Sequence, residues 1–244
     1  CDAHAASPSQ GRPGFGPGAP RLSGARSFAR GPARCETASV LAQLREDFRA
    51  VERNDPSARS ALETLLFRPP LHAIWLHRVA HALVEHVPLL PAALSAFARA
   101  WSGVEIQPRA RNGPGLYIDH GTGIVIGETA EIGRDCVLFH NVTLGGTGRH
   151  QGKRHPSLGD AVLVGTGATL LGPIRVGNRA RIGAGAFIIM HDVPDDATVV
   201  GIPAVVVKLA GEAVRRPLHP TELPAEAIPI ALRQGRKDAG NDGS

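Results

Sequence analysis

Aromatic side chains make up only 4% of the 244 residues, with two Trp, one Tyr and seven Phe. Large aromatic rings usually supply much of the volume of a wide core. The core here must instead be built from Ala, Val, Ile and Leu, which suits a narrow interior better than a sandwich. Cysteine is also scarce. Cys1, Cys35 and Cys136 are odd in number and include no close pair, so a disulfide framework is not expected and a reducing cytosol is the natural setting. No apolar run reaches transmembrane length and no stretch has the form of a secretory signal. No membrane partner is expected. The interleaving of aromatic and basic residues that single-strand binders use is missing too. The net charge is +5, but the excess sits mainly in residues 1–36, where five arginines stand against Asp2 and Glu36. That placement makes no basic face, and nucleic acid is not an expected partner.

Composition and periodicity divide the chain into four parts. Residues 1–36 are rich in Gly, Pro, Ala, Ser and Arg and bury too little apolar surface to order themselves, so they read as a disordered leader. Residues 37–103 show helical spacing. Val40, Leu41, Leu44, Phe48 and Val51 share a face; Asp55-Pro56 has the form of a helix start; Leu62, Leu65 and Leu66 make the next stripe; Pro69-Pro70 end it; Leu71 to Leu83 and the stretch after Pro91 give two more helices. Residues 104–208 carry a repeat, and residues 209–244 read as a flexible tail. In the third helix His77 and His81 stand four apart, as zinc ligands can, but HRVAH has Arg78 where HExxH proteases have glutamate, and a packed pair is expected.

The repeat has a period of six. Ile126, Ile132, Leu138 and Leu144, then Leu158, Val164, Leu170, Val176, Ile182 and Ile188 are aliphatic, and Gly usually follows. Four positions after each aliphatic residue the side chain is usually small or β-branched, as at Ala130, Cys136, Val142 and Ala168. Six fits neither a helix nor an alternating strand. It fits a coil of short flat strands whose rungs bury one another. The pattern resembles the hexapeptide-repeat acyltransferases, which implies a left-handed parallel β-helix with three hexads per turn, here following the N-terminal α-helical domain of residues 37–103. Cys136 falls in a small inward slot and reads as a packed thiol.

Two irregularities interrupt the repeat. A two-residue slip separates Ile118 from Ile126 and contains Asp119-His120. A longer break between Leu144 and Leu158 holds the polar, glycine-rich segment GTGRHQGKRHP, which must leave the coil as a loop. His120 and His155 thus stand where the regular pattern fails, near Asp119, Glu128 and Arg154.

The segments DHGTGIVIGETA and VTLGGTG…RHP, with DPSARSALE and LHAIWLHRVAH upstream, are similar to serine O-acetyltransferases over about residues 38–208. The resemblance implies acetyl transfer from acetyl-CoA to the hydroxyl of L-serine in cysteine biosynthesis, by direct attack and without a metal. It places His120 as the base that removes the hydroxyl proton, a task suited to imidazole near neutrality. Glu105 takes the place of the carboxylate that orients it. Asp119 and Asp55 match the carboxylates that bind the serine ammonium, and Arg154 with His155 the pair that holds its carboxylate. Gly146, Thr166, Arg181, Ala184, Gly185 and Lys208 match contacts to acetyl-CoA. The family also implies a cytoplasmic homotrimer or dimer of trimers and feedback inhibition by cysteine. Gln107 and Asn112 depart from the family pattern near Glu105. The chain ends AGNDGS, with Ile228 and Ile230 inside it, so the complex with O-acetylserine sulfhydrylase, which uses a terminal isoleucine, is not expected. Other readings are a homoserine acetyltransferase, a γ-type carbonic anhydrase using His150 and His155 around zinc, and a non-catalytic scaffold subunit.

Overall fold

The computed structural model describes residues 39–58, 60–148 and 151–221. Four helices come first: α1 (Val40–Asn54), α2 (Ala61–Phe67), α3 (Pro69–Leu83) and α4 (Leu90–Ser102). Ser39 caps α1 through its hydroxyl, and Gly103, in the left-handed region at φ 73°, ends α4 and turns the chain into the coil. Asp55-Pro56 does not start a helix. The Asp55 carboxylate accepts the backbone N–H and the hydroxyl of Ser57, which closes a local turn, and α2 begins only at Ala61. Among the described residues no helix is long and apolar enough to cross a membrane.

The coil is a left-handed parallel β-solenoid with three faces. The first sheet stacks Val104–Ile106, Ile124–Ile126, Thr143–Gly145, Thr169–Leu171 and Phe187–Ile189. The second stacks Arg111–Asn112, Glu131–Ile132, Ser157–Leu158 and Arg175–Val176. The third runs from Tyr117–Ile118 through Val137–Leu138 and Leu163–Val164 to Arg181–Ile182 and Ala197–Val200. Every aliphatic residue of the hexad points into the axis and is at most 4% exposed, as are Ala130, Cys136, Val142 and the other small-slot residues. Burial pushes the Cys136 thiol up to about 12, so it packs as an inert group.

The two irregularities are resolved in physical terms. Leu144 and Leu158 occupy neighbouring faces with no rung between them, so everything beyond a single hexad leaves the coil. In the slip, His120, Gly121 and Gly123 are all left-handed, whereas the equivalent corner on later rungs has one such residue each, at Asn141, Gly167 and Gly185. The two extra residues are taken up at this corner, beside His120.

Residues 209–220, expected to belong to a flexible tail, are largely paired. Val205–Leu209 pairs antiparallel with Ala197–Val200 and with Glu212–Pro217, and His219–Pro220 pairs with His191–Asp192. Ala210 and Gly211, both at positive φ, form a two-residue hairpin turn whose twist suits paired strands. The leader and residues 222–244, with Ile228 and Ile230, lie outside the described residues.

One buried ion pair joins helices to coil. Arg78 on α3 grips Asp47 of α1 through Nη2 at 2.9 Å and Nε at 3.1 Å, and donates to the carbonyls of Asn112 and Gly113. The Gly115 N–H also bonds Asp47. Burial still outweighs these bonds and raises the Asp47 carboxyl above its ordinary value, as expected when desolvation exceeds the attraction of the pair. Arg78→Met should therefore destabilise the fold by about 3–5 kcal/mol, because it strands a buried carboxylate. Urea denaturation of Arg78→Met beside Asp47→Leu/Arg78→Met checks this, and the double variant should recover most of the loss.

Candidate active site

His120 stands at the corner between the third and first sheets, with its side chain 75% exposed. Its Nε2 lies 3.9 Å from Asp119 Oδ1, and its ring meets that of His140 edge-on at 5.6 Å between centroids. Ile118 pairs with Leu138, which puts His140 one rung along the same corner. Asp119 also accepts a hydrogen bond from the Tyr117 hydroxyl at 3.2 Å. Burial first, then the carboxylates of Asp119 and Asp55, push the Tyr117 phenol up, so it stays a neutral donor. Asp55 comes from the turn after α1 and bonds Arg68 at 2.9 Å. Its burial is outweighed by the Ser57 hydrogen bonds and by the positive charge of Arg68, and its carboxyl is held below the usual range. The two aspartates and the histidine expected from sequence are therefore one cluster, and Tyr117, Arg68 and His140 belong to it.

The second cluster occupies the opposite end of the same first-sheet strand. Arg154 Nη2 pairs with Glu128 Oε2, and Arg109 approaches Glu128 from the other side at 3.8 Å. Lys153 donates to the Thr129 carbonyl at 2.6 Å. His155 is buried, and its ring lies over the Cα of Gly127 so closely that a Cβ built there would fall 2.0 Å from Cδ2. Gly146 lies against Arg154 and His155 in the same group. His150, the other half of the HxxxxH spacing, lies outside the described residues.

Glu105 projects outward from the first strand of the coil between the buried Val104 and Ile106. Its partners in the chain are Arg99 at 3.0 Å and the Gln107 amide at 3.0 Å. The expected contact with His120 is thus replaced within the chain by these two. A strand side chain points off the sheet face, whereas His120 leaves from a corner. A groove of about 500 Å³ runs beside Glu105, lined by Ser95, Arg99, Gln107 and Pro108.

The residues expected to meet acetyl-CoA are spread along the coil. The pairing of Ile118 with Leu138, Leu138 with Val164 and Val164 with Ile182 stacks His120, His140, Thr166 and Ala184 on one corner, with Gly185 donating to the Thr166 carbonyl at 2.8 Å. Arg181 pairs with Thr198 and Thr198 with Lys208, so both cations lie on the third face. Gly146 is the exception and sits at the other corner.

No protein-family model matches the chain. Over 182 residues it is 50% identical to a serine acetyltransferase of Bacillus licheniformis, covering 74% of this chain and 84% of that one. The chain belongs to the serine acetyltransferase family. It is an acyltransferase. A crystal structure of the Neisseria gonorrhoeae serine acetyltransferase in complex with serine matches with a TM-score of 0.66 at 40% identity, covering 69% of each chain. A serine acetyltransferase in complex with cysteine matches with a TM-score of 0.67 at 38% identity, covering 69% of this chain and 70% of that chain. Of the two histidines expected to pack on α3, His77 is buried and His81 is exposed. Burial, then Arg78 and His81, pull His77 down to about 3, and His81 Nδ1 bonds the Pro108 carbonyl at 2.8 Å.

Tyr117 and His140 could have been found from sequence. Tyr117 is two residues before Asp119 on a strand and so shares its face, and a twenty-residue first turn sets His140 beside His120. Nothing in the sequence alone singled out Thr129.

Proposed function

We propose that this site transfers acetyl from acetyl-CoA to the hydroxyl of L-serine with His120 as general base. The observation that carries the reading is the shared corner. His120 heads a line that continues through Thr166 and Ala184, two and three rungs away. At about 4.8 Å per rung these are about 10 and 14 Å along the coil, a track for an extended pantetheine arm ending at the base. Glycine and alanine there let backbone N–H groups approach the arm, and Arg181 and Lys208 supply charge for its phosphates.

In the reaction, His120 takes the hydroxyl proton as the serine oxygen attacks the thioester carbonyl carbon. The tetrahedral adduct then breaks its C–S bond, and the proton on His120 passes to the departing thiolate. Asp119 and Asp55 hold the ammonium, with Tyr117 and Arg68 fixing their positions. Arg154 and His155 hold the carboxylate, Arg154 through the planar fork that suits two parallel bonds.

The two clusters lie at opposite ends of Ile124–Ile126, a separation of about 10 Å at 3.3 Å per residue. This gap and the exposure of His120 support a site shared between two copies in a homotrimer, with Glu105 of one copy orienting His120 of another. The exposed Leu62, Leu65, Leu66 and Phe67 on α2 supply an apolar surface on which two trimers could join. Cysteine, which differs from serine only in its thiol, would compete at the same site.

Thiol release from acetyl-CoA tests the reading, with L-serine and L-homoserine as alternative acceptors. Release with homoserine and none with serine would overturn the acceptor. Arg154→Ala should raise the KM for serine by about tenfold or more, the scale of a lost charge-assisted hydrogen bond, and leave that for acetyl-CoA unchanged. A change confined to acetyl-CoA would assign Arg154 to the phosphates instead.

A further inference from the structure

One side chain ties the Gly127–Thr129 turn to the Lys153–His155 turn. Thr129 Oγ1 accepts the backbone N–H groups of Arg154 at 3.0 Å and His155 at 3.1 Å. Two acceptances fill the hydroxyl oxygen, which leaves its proton to donate. His155 Nδ1 lies 2.8 Å away. The backbone N–H of Thr129 is directed at the same nitrogen at 3.1 Å. A backbone N–H can only donate, so Nδ1 is an acceptor and carries no proton. The proton of the ring is then on Nε2.

We propose that Thr129 is a positioning residue that fixes His155 as the neutral Nε2–H tautomer, so that this ring meets the serine carboxylate as a hydrogen-bond donor. The proposal rests on the reading of Arg154 and His155 as the carboxylate-holding pair. The Nε2 edge is bounded by two glycines. A Cβ built at Gly127 would fall 2.2 Å from Nε2, and one at Gly146 would fall 3.5 Å from it. Side chains at either position would crowd the donor. The arrangement also separates the work of the two histidines. His120, exposed and beside a carboxylate, can take a proton; His155, with Nδ1 occupied by two donors, offers one.

The test uses the full chain with 15N-labelled histidine rings, together with steady-state kinetics. The His155 signals are assigned by their loss in His155→Gln. The wild-type chain should show the ring-nitrogen pattern of a single Nε2–H tautomer. Thr129→Val keeps the size of the side chain but removes the hydroxyl. It should shift the His155 Nδ1 signal, because that nitrogen keeps the Thr129 backbone donor and loses the hydroxyl, and raise the serine KM by about tenfold or more, since two backbone donors lose their acceptor. The KM for acetyl-CoA should stay as it was. Thr129→Ser, which restores the hydroxyl, should bring both serine KM and the nitrogen pattern back toward wild type. A wild-type Nδ1–H pattern overturns the proposal. So does a Thr129→Val enzyme with unchanged nitrogen shifts and serine KM, or a Thr129→Ser enzyme as impaired as Thr129→Val. If the wild-type chain releases no thiol with serine, the functional reading fails, and the nitrogen shifts still decide the tautomer.

Discussion

Replacing His120 with alanine should leave the coil folded and lower kcat by about 10²–10⁴-fold, the usual contribution of a positioned general base. The structure makes the variant a clean one. His120 is largely exposed and its side chain contributes nothing to the axis, which is filled by Ile118, Ile124 and their equivalents. Its backbone is left-handed at φ 60°, a conformation alanine tolerates less well than histidine or asparagine. His120→Asn should therefore serve as the companion variant, keeping the turn and losing the base. Both should show the wild-type far-ultraviolet spectrum, near-wild-type binding of acetyl-CoA and the same large drop in turnover, and His120→Asn should also keep the wild-type thermal midpoint. A His120→Asn enzyme with near-normal kcat would remove His120 from the proton transfer.

A second large effect is expected from the addition of one methyl group. Gly127→Ala should lower kcat/KM for serine by about 10²-fold, the scale of loss for a misplacement of about 1 Å at a reacting centre. A Cβ at Gly127 would lie 2.0 Å from His155 Cδ2 and 2.2 Å from Nε2, far inside ordinary contact. The ring cannot swing away without giving up Thr129, which holds Nδ1 from two directions. Gly127 is not at positive φ, so the effect arises from the ring and not from backbone strain. A double-mutant cycle separates the two. Once His155→Ala has removed the ring, adding Gly127→Ala should do little more, because the three atoms nearest the new methyl all belong to that ring. If the two losses add fully, the methyl acts elsewhere and the assignment is wrong.

Much of the fold was legible because its rule is local. A six-residue period with an aliphatic residue at one slot and a small residue at another says which side chains point inward, and each of those positions is buried. The reading weakened where a segment's structure depended on partners far away. Asp55-Pro56 has the letters of a helix start, but the Asp55 carboxylate is engaged by Ser57 and Arg68. Residues beyond 208 lack the hexad, yet Ala210-Gly211 make the turn that sends Glu212–Pro217 back against the last strands. Glu105 was matched to a role beside His120, and its own chain gives it to Arg99 and Gln107.

The sequence by itself determined the solenoid, the ten axial aliphatic residues, the helical domain in front of them and the two irregularities where His120 and His155 stand. These follow from periodicity and its interruption, which need no knowledge of distance. Only the tertiary structure decided what faces what. A coil brings residues together by turn length, and the first turn is twenty residues, from Ile106 to Ile126, while the third carries a loop. The offsets that stack His120 on His140 and draw His155 onto Thr129 are set by these deviations. They become visible only once the strands are paired, because hydrogen-bond register fixes which rung lies beside which.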